Sequence, residues 1–173
     1  MDPVDLLLAH EEIRQLVARY AVALDKRDID TVGELYVEDV SLGGGVSGRE
    51  ALKAFIREQV DVMPHTILLL GTHLIEVESD NRARGVLYAR GEFPDGDKWI
   101  IQMLQYQDGY ERRDGKWYFY RRKHLLWYGT DILERPIGLP PAHWPRSQIG
   151  QGRLPELWKD WDFVHPGWPG LRA

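Results

Sequence analysis

Thr66-Ile67-Leu68-Leu69-Leu70-Gly71-Thr72-His73-Leu74-Ile75-Glu76-Val77-Glu78 is the stretch in which the chain changes its period. Before Pro64 the apolar residues recur at helical spacing. From Thr66 they alternate, as in a strand with one face buried. Glu76 and Glu78 belong to the water side, with Thr72 and Leu74. The alternation, run through the whole stretch, puts Ile67, Leu69, Gly71, His73, Ile75 and Val77 on the other side. His73 is therefore expected to point inward.

Working back from this strand, residues 4–27 read as an amphipathic helix with Leu6, Ile13, Leu16, Val17, Tyr20 and Leu24 on one stripe. Asp25 sits at the edge of that stripe, with Ala18 and Ala21 leaving room beside it. A carboxylate near a helix C-terminus opposes the helix dipole, and an uncompensated local cost often marks a functional position. The plain alternative is a solvated Asp balanced by Lys26 and Arg27. Asp28 suits the N-cap of a short second helix through Tyr36. Val40 to Leu42 suits a short strand. Gly43-Gly44-Gly45-Val46-Ser47-Gly48 matches G-x-G-x-x-G by the letter, but no repeated strand–helix–strand context follows, so it reads as a glycine-rich turn. Residues 49–62 form the third helix, with Leu52, Phe55, Ile56 and Val60 apolar, and Pro64 ends it.

Working forward, Ser79-Asp80-Asn81 turns into a strand over Arg82–Phe93. Its inward set, Ala83, Gly85, Leu87, Ala89, Gly91 and Phe93, is largely Gly and Ala. Either a cavity or a closely approaching helix lies against it. Lys98–Arg112 and Lys116–Tyr128 are two further strands joined at Arg113-Asp114-Gly115. Three helices followed by an antiparallel meander is an α+β pattern. Residues 131–173 differ in character, holding seven of the ten prolines and four of the seven tryptophans, namely Trp144, Trp158, Trp161 and Trp168. They read as an ordered arm packed on the domain or on a neighbouring subunit, outside a domain spanning 1–130.

The chain has 173 residues, a net charge of −5 and no cysteine. Disulfides and thiolate metal sites are thereby excluded, and an acidic balance argues against a nucleic-acid partner. No apolar run has membrane-spanning length, and the first residues lack the pattern of a signal peptide. A cytoplasmic protein is expected. The six histidines are scattered without ligand spacing, so no metal and no cofactor are expected.

Several local patterns coincide with those of a known group: Ile13-x-x-Leu16-x-x-x-Tyr20-x-x-x-x-Asp25, Ser47-Gly48-Arg49-Glu50-Ala51-Leu52, Thr72-His73, and Gly109-Tyr110-Glu111-Arg112-x-x-Gly115-x-Trp117. Over roughly residues 5–130 the chain resembles the SnoaL-like, nuclear transport factor 2-like superfamily. The resemblance implies a cone-shaped α+β barrel, three N-terminal helices packed on a curved, mainly antiparallel sheet. The set Tyr20, Asp25 and His73 is similar to that of the scytalone dehydratase-like branch, which includes bile acid dehydratase and hexachlorocyclohexane dehydrochlorinase. The Asp-to-His separation, 73 − 25 = 48, fits that branch. By the resemblance, Asp25 would hold His73, His73 would take a proton during elimination, and Tyr20 would assist the departing oxygen. Phe55, Leu87, Met103 and Phe119 are expected against the substrate.

A carboxylate that fixes its tautomer lets a histidine act as general base near neutral pH. A lone inward histidine is otherwise an ordinary core residue. On the last strand, Arg121 and Lys123 share phase with Trp117 and Phe119, whereas Arg122 and His124 fall on the polar side. The function expected is a cofactor-independent, dehydratase-like lyase of a hydrophobic aromatic or polycyclic hydroxylated molecule. Carbon–carbon cleavage of an aryl diol, isomerisation or cyclisation, and a non-catalytic ligand-binding module are the alternatives. A homo-oligomer, dimer or trimer, is expected, with no nucleic-acid or membrane partner.

Overall fold

A computed structural model describes residues 1–143 and 147–154. Helix α1 spans Pro3–Asp25. It begins where the Asp2 carboxylate accepts from the Val4 and Asp5 amides with Pro3 in the first turn, a strong start signal. Ala9, Ile13, Leu16, Val17 and Tyr20 form its buried face. It closes through Arg27, which takes a left-handed φ of 60° and donates to the carbonyls of Leu24 and Met63. Helix α2 is Ile29–Glu34, capped by Asp28. Strands β1 (Ser41–Gly43) and β2 (Val46–Ser47) form a small hairpin. Gly44 and Gly45 both have positive φ, as its turn requires. Helix α3, Arg49–Val60, follows and buries Leu52, Ile56 and Val60.

Strands β3 (Ile67–Ser79), β4 (Arg82–Asp95), β5 (Lys98–Arg113), β6 (Lys116–Asp131) and β7 (Gly150–Gln151) form one antiparallel sheet in chain order. The sheet is open, with β3 and β7 at its edges. Helix α1 lies against its concave side, its buried residues joining Leu87, Leu104, Tyr110 and Phe119 in one core. This is the α+β architecture expected, with a sheet that does not close into a barrel.

Of four register shifts in the sheet, two bear on the expected facing of the site residues. Between Leu70 and His73, β3 carries one more residue than its partner, since Leu70 pairs with Ala89 but His73 pairs with Leu87. Leu68 and Leu70 are accordingly half-buried while Ile67 and Leu69 are exposed, the reverse of the expected phase. On β6, Gly109 pairs with Arg121 while Tyr110 pairs with Phe119, so Tyr120 is the extra residue. Beyond it Arg122, not Arg121, turns inward.

The arm joins the sheet through β7. Gly152 donates to the Trp127 carbonyl at 2.7 Å, and Leu154 is fully buried. Trp144, Trp158, Trp161 and Trp168 lie outside the described residues.

Candidate functional site

A cavity of about 830 Å³ opens between the helices and the concave sheet face. Leu52, Phe55, Ile56 and Val60 of α3 and Leu24 of α1 give it an apolar wall. Polar groups enter from Tyr20, Tyr36, Gln102, Tyr106, Arg122 and His124. An apolar hollow with few convergent polar groups is the ordinary form of a small-molecule site.

Arg122 organises the deep end. Its Nε and Nη2 donate to the two oxygens of Asp108 at 2.8 and 2.6 Å. The two side chains are 5% and 0% exposed. Its guanidinium carbon lies 4.2 Å from the ring centroids of Tyr20, Tyr106 and Phe119, close enough for cation–π attraction. The third nitrogen, Nη1, is buried and donates to nothing among the described residues. Burial pushes up the phenol pKa of Tyr20, Tyr36 and Tyr106, so all three remain protonated donors at neutral pH. His124 packs on Tyr106, with ring centroids 5.1 Å apart. Burial and the Arg122 charge press its pKa down to about 3, leaving a neutral imidazole.

His73 and Asp25 stand apart. The two Asp25 oxygens accept from the Thr66 hydroxyl and the Leu68 amide, each at 3.0 Å. The Nε2 of His73 lies 3.0 Å from the Tyr110 hydroxyl, which itself donates to Asp108 at 2.9 Å. With that hydroxyl proton committed, His73 must donate from Nε2. Burial lowers its pKa to about 4, and the nearby charges include Arg14 and His10. Arg14 is eleven residues before Asp25 on α1, about 16 Å along the axis. Leu68 and His73 are five residues apart on β3, again about 16 Å. The expected direct hydrogen bond between Asp25 and His73 is therefore not formed. The β3 bulge shifts the phase, and the strand residue that Asp25 meets is Leu68.

The other expected contacts divide. Tyr20 and Phe55 line the cavity. Leu87 and Phe119 are fully buried core residues outside its lining. Met103 alternates with Gln102 and Leu104, both of which line the cavity, and so faces the other side of the sheet. Gly85, offered as a sign of a cavity, is instead covered. A Cβ there would fall 3.1 Å from His73 Nε2 and 3.1 Å from Tyr110 Cε2. Gly91, at the other end of β4, does line the cavity. Arg121 and Lys123 are exposed but still contribute to the cavity lining, whereas Arg122 and His124 are inside. Asp108 is a further functional residue, and among the glutamines and charges of β5 the sequence has no signal that sets it apart.

Comparison with known proteins agrees with this architecture. Gamma-hexachlorocyclohexane dehydrochlorinase of Sphingobium indicum is 26% identical over 139 residues, covering 76% of this chain and 89% of that protein. The crystal structure of a hexachlorocyclohexane dehydrochlorinase from Novosphingobium barchaimii superposes with a TM-score of 0.68 at 20% identity, over 78% of this chain and 97% of the other. A scytalone dehydratase-like protein from Novosphingobium aromaticivorans gives 0.67 at 22% identity, over 78% and 94%. The SnoaL-like domain matches residues 5–123, a span that includes Tyr20, Tyr106, Asp108 and Arg122 and ends one residue before His124. On that match and this fold, the chain belongs to the SnoaL-like domain family.

Proposed function

We propose that the chain is a cofactor-independent lyase that eliminates water from an aromatic or polycyclic hydroxylated molecule held in the cavity. The observation that carries the reading is Arg122 Nη1, a buried cationic donor without an acceptor among the described residues, close to a neutral imidazole in a largely apolar hollow. A buried donor left unpaired costs about 1–3 kcal/mol, and a substrate oxygen would satisfy it. His124 takes a proton from the substrate carbon, and the C–H electron pair becomes the new double bond as the C–O bond breaks. The departing hydroxide, held by Arg122 Nη1 and the Tyr20 hydroxyl, receives the same proton back from His124 and leaves as water. An imidazolium beside Arg122 is unfavourable by itself, so proton transfer is tied to negative charge developing on the leaving oxygen. Asp25 is a positioning residue in this scheme, fixing Thr66 and Leu68 in the cavity wall.

The relatives support elimination chemistry by their names, one a dehydrochlorinase and one a dehydratase-like protein. A non-catalytic binding module is the second reading, favoured by Asp25 and His73 both being committed to internal bonds. A panel of hydroxylated aromatics and steroids, followed by mass, separates the two. Loss of one water from a panel member supports the lyase. Loss of formaldehyde would indicate C–C cleavage, and binding without mass change the module.

A further inference from the structure

The cavity has a second polar end that the proposed chemistry does not use. Gln102, 5% exposed, lines it from β5. Its amide nitrogen donates to the backbone carbonyl of Gln148 at 3.4 Å and also to the Gln148 side-chain oxygen. A backbone carbonyl only accepts, so this contact fixes which end of the Gln102 amide is nitrogen. The amide oxygen therefore points the other way, and it accepts no hydrogen bond among the described residues. It lies over Gly91, where an added Cβ would approach it to 3.7 Å. Gly91 also lines the cavity, and its missing side chain leaves that oxygen open to a ligand.

The spacing of the two ends follows from β5. Gln102, Leu104 and Tyr106 are successive inward residues, all lining the cavity. Four strand residues span about 13 Å, with apolar Leu104 in the middle. The Arg122 guanidinium stacks on Tyr106 at the far end. We infer that the cavity takes an elongated ring compound anchored at both ends, with a hydroxyl donating to Gln102 Oε1 and an oxygen accepting from Arg122 Nη1. Small single-ring molecules would satisfy one anchor only. The inference rests on the cavity being a small-molecule site and needs no turnover.

Calorimetric titration of the full chain with three rigid probes tests it: biphenyl-4,4′-diol, 4-hydroxybiphenyl and 4-hydroxy-4′-methoxybiphenyl. None of them can lose water, so binding is read alone. The diol and the hydroxy ether, which each carry a hydroxyl for Gln102 and an oxygen for Arg122, are expected to bind about tenfold tighter than 4-hydroxybiphenyl, the effect of one added hydrogen bond of ordinary strength. Gln102→Leu should bring the three to similar affinity, and Gln102→Glu, which keeps an acceptor, should retain the preference for the diol and the hydroxy ether. Equal affinities in the wild type, no binding of any probe, or a diol preference that survives Gln102→Leu would each overturn the inference. If the variants do not fold, the wild-type comparison decides by itself. A panel without water loss would sink the lyase reading while a diol preference would still stand.

Discussion

Asp108 is the residue on which the buried polar network depends. It accepts from Tyr110 and, twice, from Arg122. Removing one partner of a buried pair leaves the other charge uncompensated, at about 3–5 kcal/mol. Asp108→Ala should therefore lower unfolding free energy by that order in urea titration, and an unchanged midpoint would mean that Arg122 finds other compensation. His73 and His124 give a pH signature. Both have folded-state pKa values depressed to about 4 and about 3, against an ordinary 6.5. The unfolded chain then binds more protons than the folded one below that ordinary value, so stability is full above about pH 6.5 and falls as pH drops toward 4. Thermal melts from pH 8 to pH 4 should show this loss, and it should be smaller in His73→Ala. The same depression predicts that the activity profile has no acid limb near pH 6.5, since the proposed base stays neutral well below it. Asp25 was legible in the sequence as an unusual carboxylate at a helix end. Its partners were not, because one is a backbone amide and carries no side-chain signal.

The strands explain why a correct reading of elements gave an incorrect reading of partners. The helices and the four long strands emerge from periodicity within a few residues of their observed bounds. Alternation predicts facing only while the register is unbroken, and a single extra residue reverses it. The β3 bulge near Gly71 and Thr72 exchanged Leu69 for Leu68 beside Asp25, while His73 kept its inward face five residues further along the strand. The β6 bulge at Tyr120 exchanged Arg121 for Arg122 and brought His124 inside. Neither bulge has a side-chain pattern that distinguishes it from continuous strand. At this scale the short β7 strap is also testable. A Cβ on Gly129 would collide with the Gln148 backbone carbonyl. Gly129→Ala should lift the strap, so that limited proteolysis cuts within residues 132–154 faster than in the wild type. Equal cleavage rates would show that the strap accommodates the methyl group.

On the scale of the molecule, three helices cover the concave face of an open sheet and leave a cavity at one end. The helix-side wall is apolar, and the cationic and imidazole groups enter from β6. The composition could announce an aromatic-rich interior, and the order of elements could announce the α+β class. The position of the Arg122 and His124 cluster depended on register and stayed hidden. The arm touches the cavity through Gln148, which meets Gln102. The central claim is that proton transfer belongs to His124 inside the cavity and not to His73, which is committed to Tyr110 outside the cavity lining. Its most direct test is the rate of water loss by His124→Ala beside that of His73→Ala, measured on the first panel compound that the wild type dehydrates. The account predicts a loss of roughly 10²–10⁴-fold for His124→Ala, with His73→Ala close to the wild-type rate. A folded but inactive His73→Ala protein beside an active His124→Ala protein would contradict it.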